Sequence, residues 1–218
     1  MDPIHAKLIR FFEKKNKGKI LDAGAGDGKL STALSELGFT VSACDIDRDL
    51  FQGKTSFKKA DLNKGIPYPD NHFDYVLLTE VIEHLENPNH IIRECSRVIK
   101  SGGIFITTTP NVANIFSRLK FLITGELFCF SKTERHSKHG HINPIPYWEI
   151  EDIMEKNNFK LLNIESNNYL AIPGSGASGF LKKTISNMAY VFMYPLLNPK
   201  NKEILKGDNL IFFAQKVR

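Results

Sequence analysis

Apolar residues recur at helical spacing near the start of the chain, where Ile4, Leu8, Ile9 and Phe12 share one face, and Gly18 ends that element. Short apolar runs follow, separated by glycines and polar clusters. Lys19–Ala23, residues 39–44, residues 55–58, Phe73–Thr79 and residues 104–109 predict five strands, the last closed by Pro110. Residues 30–37 and 89–99 predict helices between them, the second with Ile91, Ile92, Cys95, Val98 and Ile99 on its apolar side. Residues 80–85 start a helix or a tight turn. Strand, helix and strand alternate with short connections, which argues for an α/β protein with a mostly parallel sheet and helices on both faces. Strands apolar on both parities fit burial on both sides.

The second half is less regular. Residues 111–124 carry Val112, Ile115, Phe116, Leu119 and Ile123 at helical spacing. Residues 128–145 read as a loop holding His136, His139 and His141. Residues 147–157 read as a helix, and Phe159–Ser166 and residues 210–215 as the last strands. Residues 167–209 between them are too long for a plain connection and should have structure or a task of their own.

Ligands of such sheets bind beyond the carboxyl ends of the strands. The glycines of Leu21-Asp22-Ala23-Gly24-Ala25-Gly26-Asp27-Gly28 fall there, and so do Asp45, Asp61, Glu80 and Pro110. A sharp strand-to-helix turn needs glycine, and it brings backbone amides close to a cofactor. Asp45, ending the next strand, has the spacing expected for gripping ribose hydroxyls. A dinucleotide fold would use the same logic, but Asp22 and Asp27 around the glycines would repel two phosphates. Carboxylates suit a cofactor that presents an amine and hydroxyls, as S-adenosylmethionine (SAM) does. A NAD-linked oxidoreductase is therefore the weaker reading.

Composition narrows the class without naming it. The 218 residues are 42% hydrophobic and 24% charged, which excludes a disordered or collagen-like chain and fits one domain over residues 1–218. The net charge of +5 is scattered in short clusters, so it permits an anionic partner without demanding one. Cys44, Cys95 and Cys129 have no metal-ligand or redox spacing and point to a reducing compartment. The first ten residues lack an apolar core of signal-peptide length, so the expected location is the cytoplasm. The run Met188 to Leu197, MAYVFMYPLL, is too short to span a bilayer. Residues 185–197 are a candidate peripheral-membrane or dimer contact.

The chain resembles a class I SAM-dependent methyltransferase, close to the ubiquinone-biosynthesis O-methyltransferase branch. The resemblance rests on LDAGAGDGKL, ACDID, KKADLN, FDYVLLTEVIEHLENP and IIRECSRVIKSGGIFITTTPN, and covers about residues 4–166 plus the final strand. It implies a three-layer Rossmann-like fold with seven strands, the last antiparallel. It also implies that Asp22, Gly24, Ala25, Gly26 and Gly28 line the methionine part of SAM. Asp45 would take the ribose hydroxyls, Ile46 would pack on adenine, Asp61 would take the adenine amine, and Leu62 would lie beside the ring. Thr79 and Glu80 would lie near the methionine.

The acceptor side is more open. Glu80, Glu83 and His84 stand at i, i+3 and i+4 and would share a face if the segment were helical. With His141 they are candidate ligands for a divalent metal, as in the related small-RNA 2′-O-methyltransferase branch. Without metal, His84, Glu80 and His141 are the candidate catalytic residues, His84 as base or acceptor-orienting group. His5, His72 and His90 look peripheral. Residues 111–145 form a candidate cap, whose Phe116, Phe121, Phe128 and Phe130 could line an apolar pocket or belong to the core. With the insert at 167–209 it should set specificity. The expected activity is methyl transfer to a small-molecule or lipid-like acceptor at oxygen. An RNA 2′-O-methyltransferase and a non-catalytic SAM-binding protein are the alternatives; against the RNA reading, no aromatic-basic strip is visible.

Overall fold

The computed structural model describes residues 2–132, 140–167 and 202–217. Helix α1 (Pro3–Glu13) starts where Asp2 accepts hydrogen bonds from the Ile4 and His5 amides, with Pro3 in its first turn. Strand β1 (Lys19–Ala23), helix α2 (Lys29–Glu36), strands β2 (Thr40–Asp45), β3 (Ser56–Lys59) and β4 (Phe73–Thr79), helix α3 (Pro88–Val98) and strand β5 (Ile99–Pro110) follow. Helices α4 (Ile115–Thr124) and α5 (Tyr147–Lys156) precede β6 (Phe159–Ser166), and β7 (Asn209–Lys216) closes the chain.

The seven strands form one sheet in the order β3-β2-β1-β4-β5-β7-β6. The first five are mutually parallel, and β7 runs antiparallel to both β5 and β6. This is the sheet expected from sequence. The chain leaves β1 toward β2 and β3, then crosses back to β4 on the other side. A crevice therefore opens beyond the carboxyl ends of β1 and β4, where a doubly wound sheet places its ligand.

Strand side chains alternate between two cores. On one face Val76, Leu78, Phe105 and Phe212 pack with Ile91, Ile92 and Cys95 of α3 and Ile150 and Met154 of α5. On the other, Tyr75, Leu77, Ile106 and Phe213 meet Ile4, Leu8 and Phe12 of α1 and Leu30 and Leu34 of α2. Phe12, Phe39 and Tyr75 meet edge to face at centroid distances of 5.2 to 5.8 Å. Cys44 and Cys95 are buried small hydrophobes of this scaffold.

One open alternative is settled and two expectations are corrected. Residues 80–85, read as a helix or a tight turn, take the tight turn, so they do not present Glu80, Glu83 and His84 on one helical face. Glu80 has φ +53°, which breaks the chain direction, and only Ile82–His84 winds, as one 3-10 turn. Helix α4 begins at Ile115 rather than residue 111, because Asn114 caps it through the Ser117 amide at 2.7 Å. Ile99 belongs to β5, not to α3: it is extended and pairs with Phe73. No helix of the described residues is long and apolar enough to cross a membrane. His136, His139, residues 168–201 of the insert and the candidate contact at 185–197 lie outside the described residues.

Candidate active site

The glycine loop is shaped by close backbone approach. The Gly24 and Ala25 amides donate to the Cys44 carbonyl at 2.8 and 3.2 Å, which ties the end of β1 to β2. Gly24 has φ +79°, and a Cβ there would lie 2.2 Å from a Val81 methyl. Gly28 begins α2 at φ +78°, and its Cβ would meet the Gly53 backbone at 2.8 Å. Gly26, by contrast, faces open space. Asp45 bridges two loops: Oδ2 accepts the Gly26 amide at 2.9 Å and Oδ1 the Asp47 amide at 2.9 Å. A carboxylate has lone pairs to spare beyond these two bonds, so it can still accept from hydroxyls.

A cleft of about 560 Å³ opens over these strand ends. Gly24, Gly26, Asp45, Ile46, Asp61, Leu62, Glu80 and His84 all line it. Ile46 is 61% exposed there, an apolar surface fit for a flat ring. Asp61 caps its own turn through the Asn63 amide at 3.1 Å, while Leu62 is buried behind it. Ala25, Gly28, Thr79 and Asp22 do not line the cleft. Asp22 is wholly enclosed and accepts the Ser31 hydroxyl at 2.5 Å. Burial raises its pKa, and the Ser31 bond offsets part of that rise. Asp22 thus supports the loop from beneath.

The other edge of the cleft is assembled across the chain. The Glu83 carbonyl accepts the Ile142 and Asn143 amides at 2.9 and 3.0 Å, and the Asn143 side chain donates to the Leu85 carbonyl. This strap brings His141 to His84, with ring centroids 4.8 Å apart, and Phe130 packs on His141 at 5.3 Å. Nδ1 of His84 faces the Gly140 carbonyl at 3.3 Å, and Nδ1 of His141 faces the Cys129 carbonyl at 2.9 Å. A carbonyl only accepts, so each neutral ring carries its proton on Nδ1 and its lone pair on Nε2.

Glu83 is fully buried beside them, and neither carboxylate oxygen has a hydrogen-bond partner among the described residues. Burial pushes its pKa up to about 8. The nearby Thr109 hydroxyl eases the charge slightly, yet it too remains outside hydrogen-bond geometry. Ligand atoms of Glu83, His84 and His141 lie within 4.8 Å of one another. One carboxylate and two imidazoles anchored through Nδ1 are a donor set that fits a divalent transition metal. Glu80, a candidate for this set, is not among the atoms gathered this closely. Its amide donates to Thr108 Oγ1 at 2.9 Å and its carboxylate accepts from Asn209 Nδ2 at 3.0 Å.

The four phenylalanines of the cap do not form one pocket. Phe116 and Phe128 meet edge to face, Phe130 is buried on His141, and Phe121 is 54% exposed. His5 lines a second hollow between α1 and α2, with Asp2 and Asp27, and His72 and His90 lie outside both hollows. Among the cleft-lining residues that sequence reasoning missed are Asp47, Leu50, Asn63, Val81 and Ile142, and Asn209 stands beside Glu80 without lining the cleft. Asn209 becomes visible only once β7 is paired with β5, and Ile142 only once the strap is seen.

Comparison with known proteins agrees with this geometry. A family model described as a methyltransferase domain matches residues 2–164. The chain is 28% identical over 184 residues to a ubiquinone biosynthesis O-methyltransferase of Coxiella burnetii, covering 78% of this chain and 77% of that protein. A protein of the same name from Caulobacter sp. is 29% identical over 125 residues, half of each chain. A SAM-dependent methyltransferase structure from Archaeoglobus fulgidus superposes with a TM-score of 0.65 at 20% identity, covering 98% of this chain and 93% of that one. With the seven-strand order and the glycine loop, these matches show that the chain belongs to the methyltransferase-domain family, as a class I SAM-dependent methyltransferase.

Proposed function

We propose that the protein transfers the methyl group of SAM to an oxygen of a small-molecule or lipid-like acceptor, with His84 as general base and His141 orienting it. The observation that carries this reading is the cleft itself. One wall holds Asp45, Ile46 and the glycine loop, and the opposite edge holds His84 against His141. Asp45 receives the ribose hydroxyls, Ile46 and Leu62 flank the adenine, Asp61 takes its amine, and Gly24, Gly26 and Glu80 face the methionyl group. SAM supplies an electrophilic methyl on a sulfonium leaving group. The acceptor oxygen forms its bond to that carbon as the carbon–sulfur bond breaks, and His84 Nε2 takes the hydroxyl proton. The name of the Coxiella burnetii relative supports oxygen as the acceptor atom.

The test is a screen with methyl-labelled SAM against pools of phenols, alcohols, amines, lipids and short RNA. Label should appear as an ether on a hydroxyl acceptor. His84→Ala should keep SAM binding and lose about 100-fold or more in turnover. Transfer only to nitrogen, or full turnover by that variant, overturns the reading. Label on the RNA pool, with binding that falls steeply with salt, moves the assignment to a nucleic-acid acceptor.

A second reading is favoured by the orphaned Glu83 carboxylate. Glu83, His84 and His141 would hold a divalent cation that lowers the acceptor hydroxyl's pKa, and His84 would then be a ligand instead of a base. Chelator treatment separates the two. Loss of turnover restored by a divalent ion supports the cation, and unchanged turnover in protein freed of metal removes it.

A further inference from the structure

The strap grips His84 through the residues on either side of it. The carbonyl of Glu83, just before it, accepts the Ile142 and Asn143 amides at 2.9 and 3.0 Å. The carbonyl of Leu85, just after it, accepts Nδ2 of the Asn143 side chain. At the strap's other end the Gly140 carbonyl meets the ring itself, 3.3 Å from Nδ1. The two amide bonds converge on one carbonyl and leave the strap able to swing about it. The bond to Leu85 stops that swing.

That bond comes from a side chain with no apolar substitute. Beyond Asn143, Ile145 is buried in the same core as Ile82 and Leu85. Burial of Ile145 holds that end of the strap without setting its angle, because apolar contact is non-directional. A hydrogen bond weakens steeply off its line, so the Asn143 amide supplies the direction.

The angle decides where the His84 proton sits. Which ring nitrogen is basic is set by the hydrogen bond that the other one makes. With the Gly140 carbonyl at Nδ1 the proton stays there, and Nε2 keeps its lone pair in a ring that lines the cleft. An unheld histidine ring favours the opposite tautomer. Its Nε2 then carries the proton and has no lone pair for a second one.

We infer that Asn143 is a positioning residue for proton removal: it holds the strap at the angle that keeps the Gly140 carbonyl on His84 Nδ1 and so keeps Nε2 basic. The inference rests on the reading of His84 as the general base. It gives the segment that crosses the cleft edge a part in the chemistry besides that of a wall.

The test needs no acceptor. Nitrogen-15 spectra of histidine-labelled, chelator-treated protein report the tautomer of each ring at about pH 8.5, where an ordinary ring is neutral. The His84 signals are those lost in His84→Gln. Wild type should favour the proton on Nδ1 of His84 by about tenfold or more. In Asn143→Ala, and in Asn143→Asp, a nearly isosteric change whose carboxylate repels the Leu85 carbonyl, that preference should fall at least about fivefold. SAM affinity by calorimetry should change less than about threefold, with unliganded melting as the fold check. An unchanged tautomer in the folded variants overturns the inference, and so does a wild type with the His84 proton on Nε2. Loss of SAM binding in step with the tautomer would mean a merely structural role and overturns it too. Full turnover by His84→Ala in the methyl-transfer screen instead removes the base reading, and the inference with it.

Discussion

At Glu83 a carboxyl group is enclosed on all sides, and its pKa is pushed from an ordinary 4.5 to about 8. The consequence for stability has a definite sign. Between these two values the unfolded chain has released the proton while the folded chain still holds it. Stability of metal-free protein therefore falls as pH rises through about 4.5 to 8 and levels off above. Glu83→Gln removes the penalty, and should gain on the order of a few kcal/mol at pH 8 with little change at pH 4. Urea unfolding of chelator-treated protein across this range checks it, and an unchanged slope in the variant contradicts it. A divalent ion should reverse the slope, because it takes the place of the proton. Asp45 was legible as a cleft residue because it ends β2, and His84 because its spacing from Glu80 and Glu83 drew attention to the segment after β4. That Glu80 stands apart from the closely gathered Glu83, His84 and His141 was not legible, because its left-handed backbone, φ +53°, leaves no mark in the spacing.

The elements show how tightly the cofactor side is built. Gly24 cannot accept a side chain: its φ is positive and Val81 fills the space a Cβ would need. Gly24→Ala should cost at least about 2 kcal/mol and displace Val81 into the cleft, weakening SAM. Gly26→Ala, also at positive φ but facing open space, should cost less. Denaturant midpoints of the two variants decide, and equal stability would contradict the close approach. The five parallel strands and α3 could be read from period and punctuation. The 3-10 turn at Ile82–His84 was legible only as one of two alternatives, because a three-residue turn and the start of a helix share the same apolar spacing. The start of α4 was obscured in the same way. Residues 111–114 look apolar-periodic, but Asn111 and Asn114 spend their side-chain amides on carbonyls of residues 204–207.

Across the whole molecule, topology converts a set of distant carboxylates into one cleft. Asp45, Asp61 and Glu80 are separated in sequence, and only the crossover from β3 to β4 gathers them over the glycine loop. The same crossover leaves the histidine edge to be completed from the far side, by the strap at residues 140–143. The sequence offered His141 as a candidate for that edge but not the strap that delivers it, since nothing in a loop histidine's neighbours says which carbonyl it will meet. The apolar alternation fixed the two cores. It said nothing of Asn209, whose place beside Glu80 depends on a cross-strand register. The claim that joins these levels is that SAM lies in this cleft with its ribose on Asp45. Calorimetric titration of SAM into wild type and Asp45→Ala tests it most directly. The account predicts binding by wild type and a loss of about 100-fold in the variant. Wild-type SAM affinity in Asp45→Ala would contradict it.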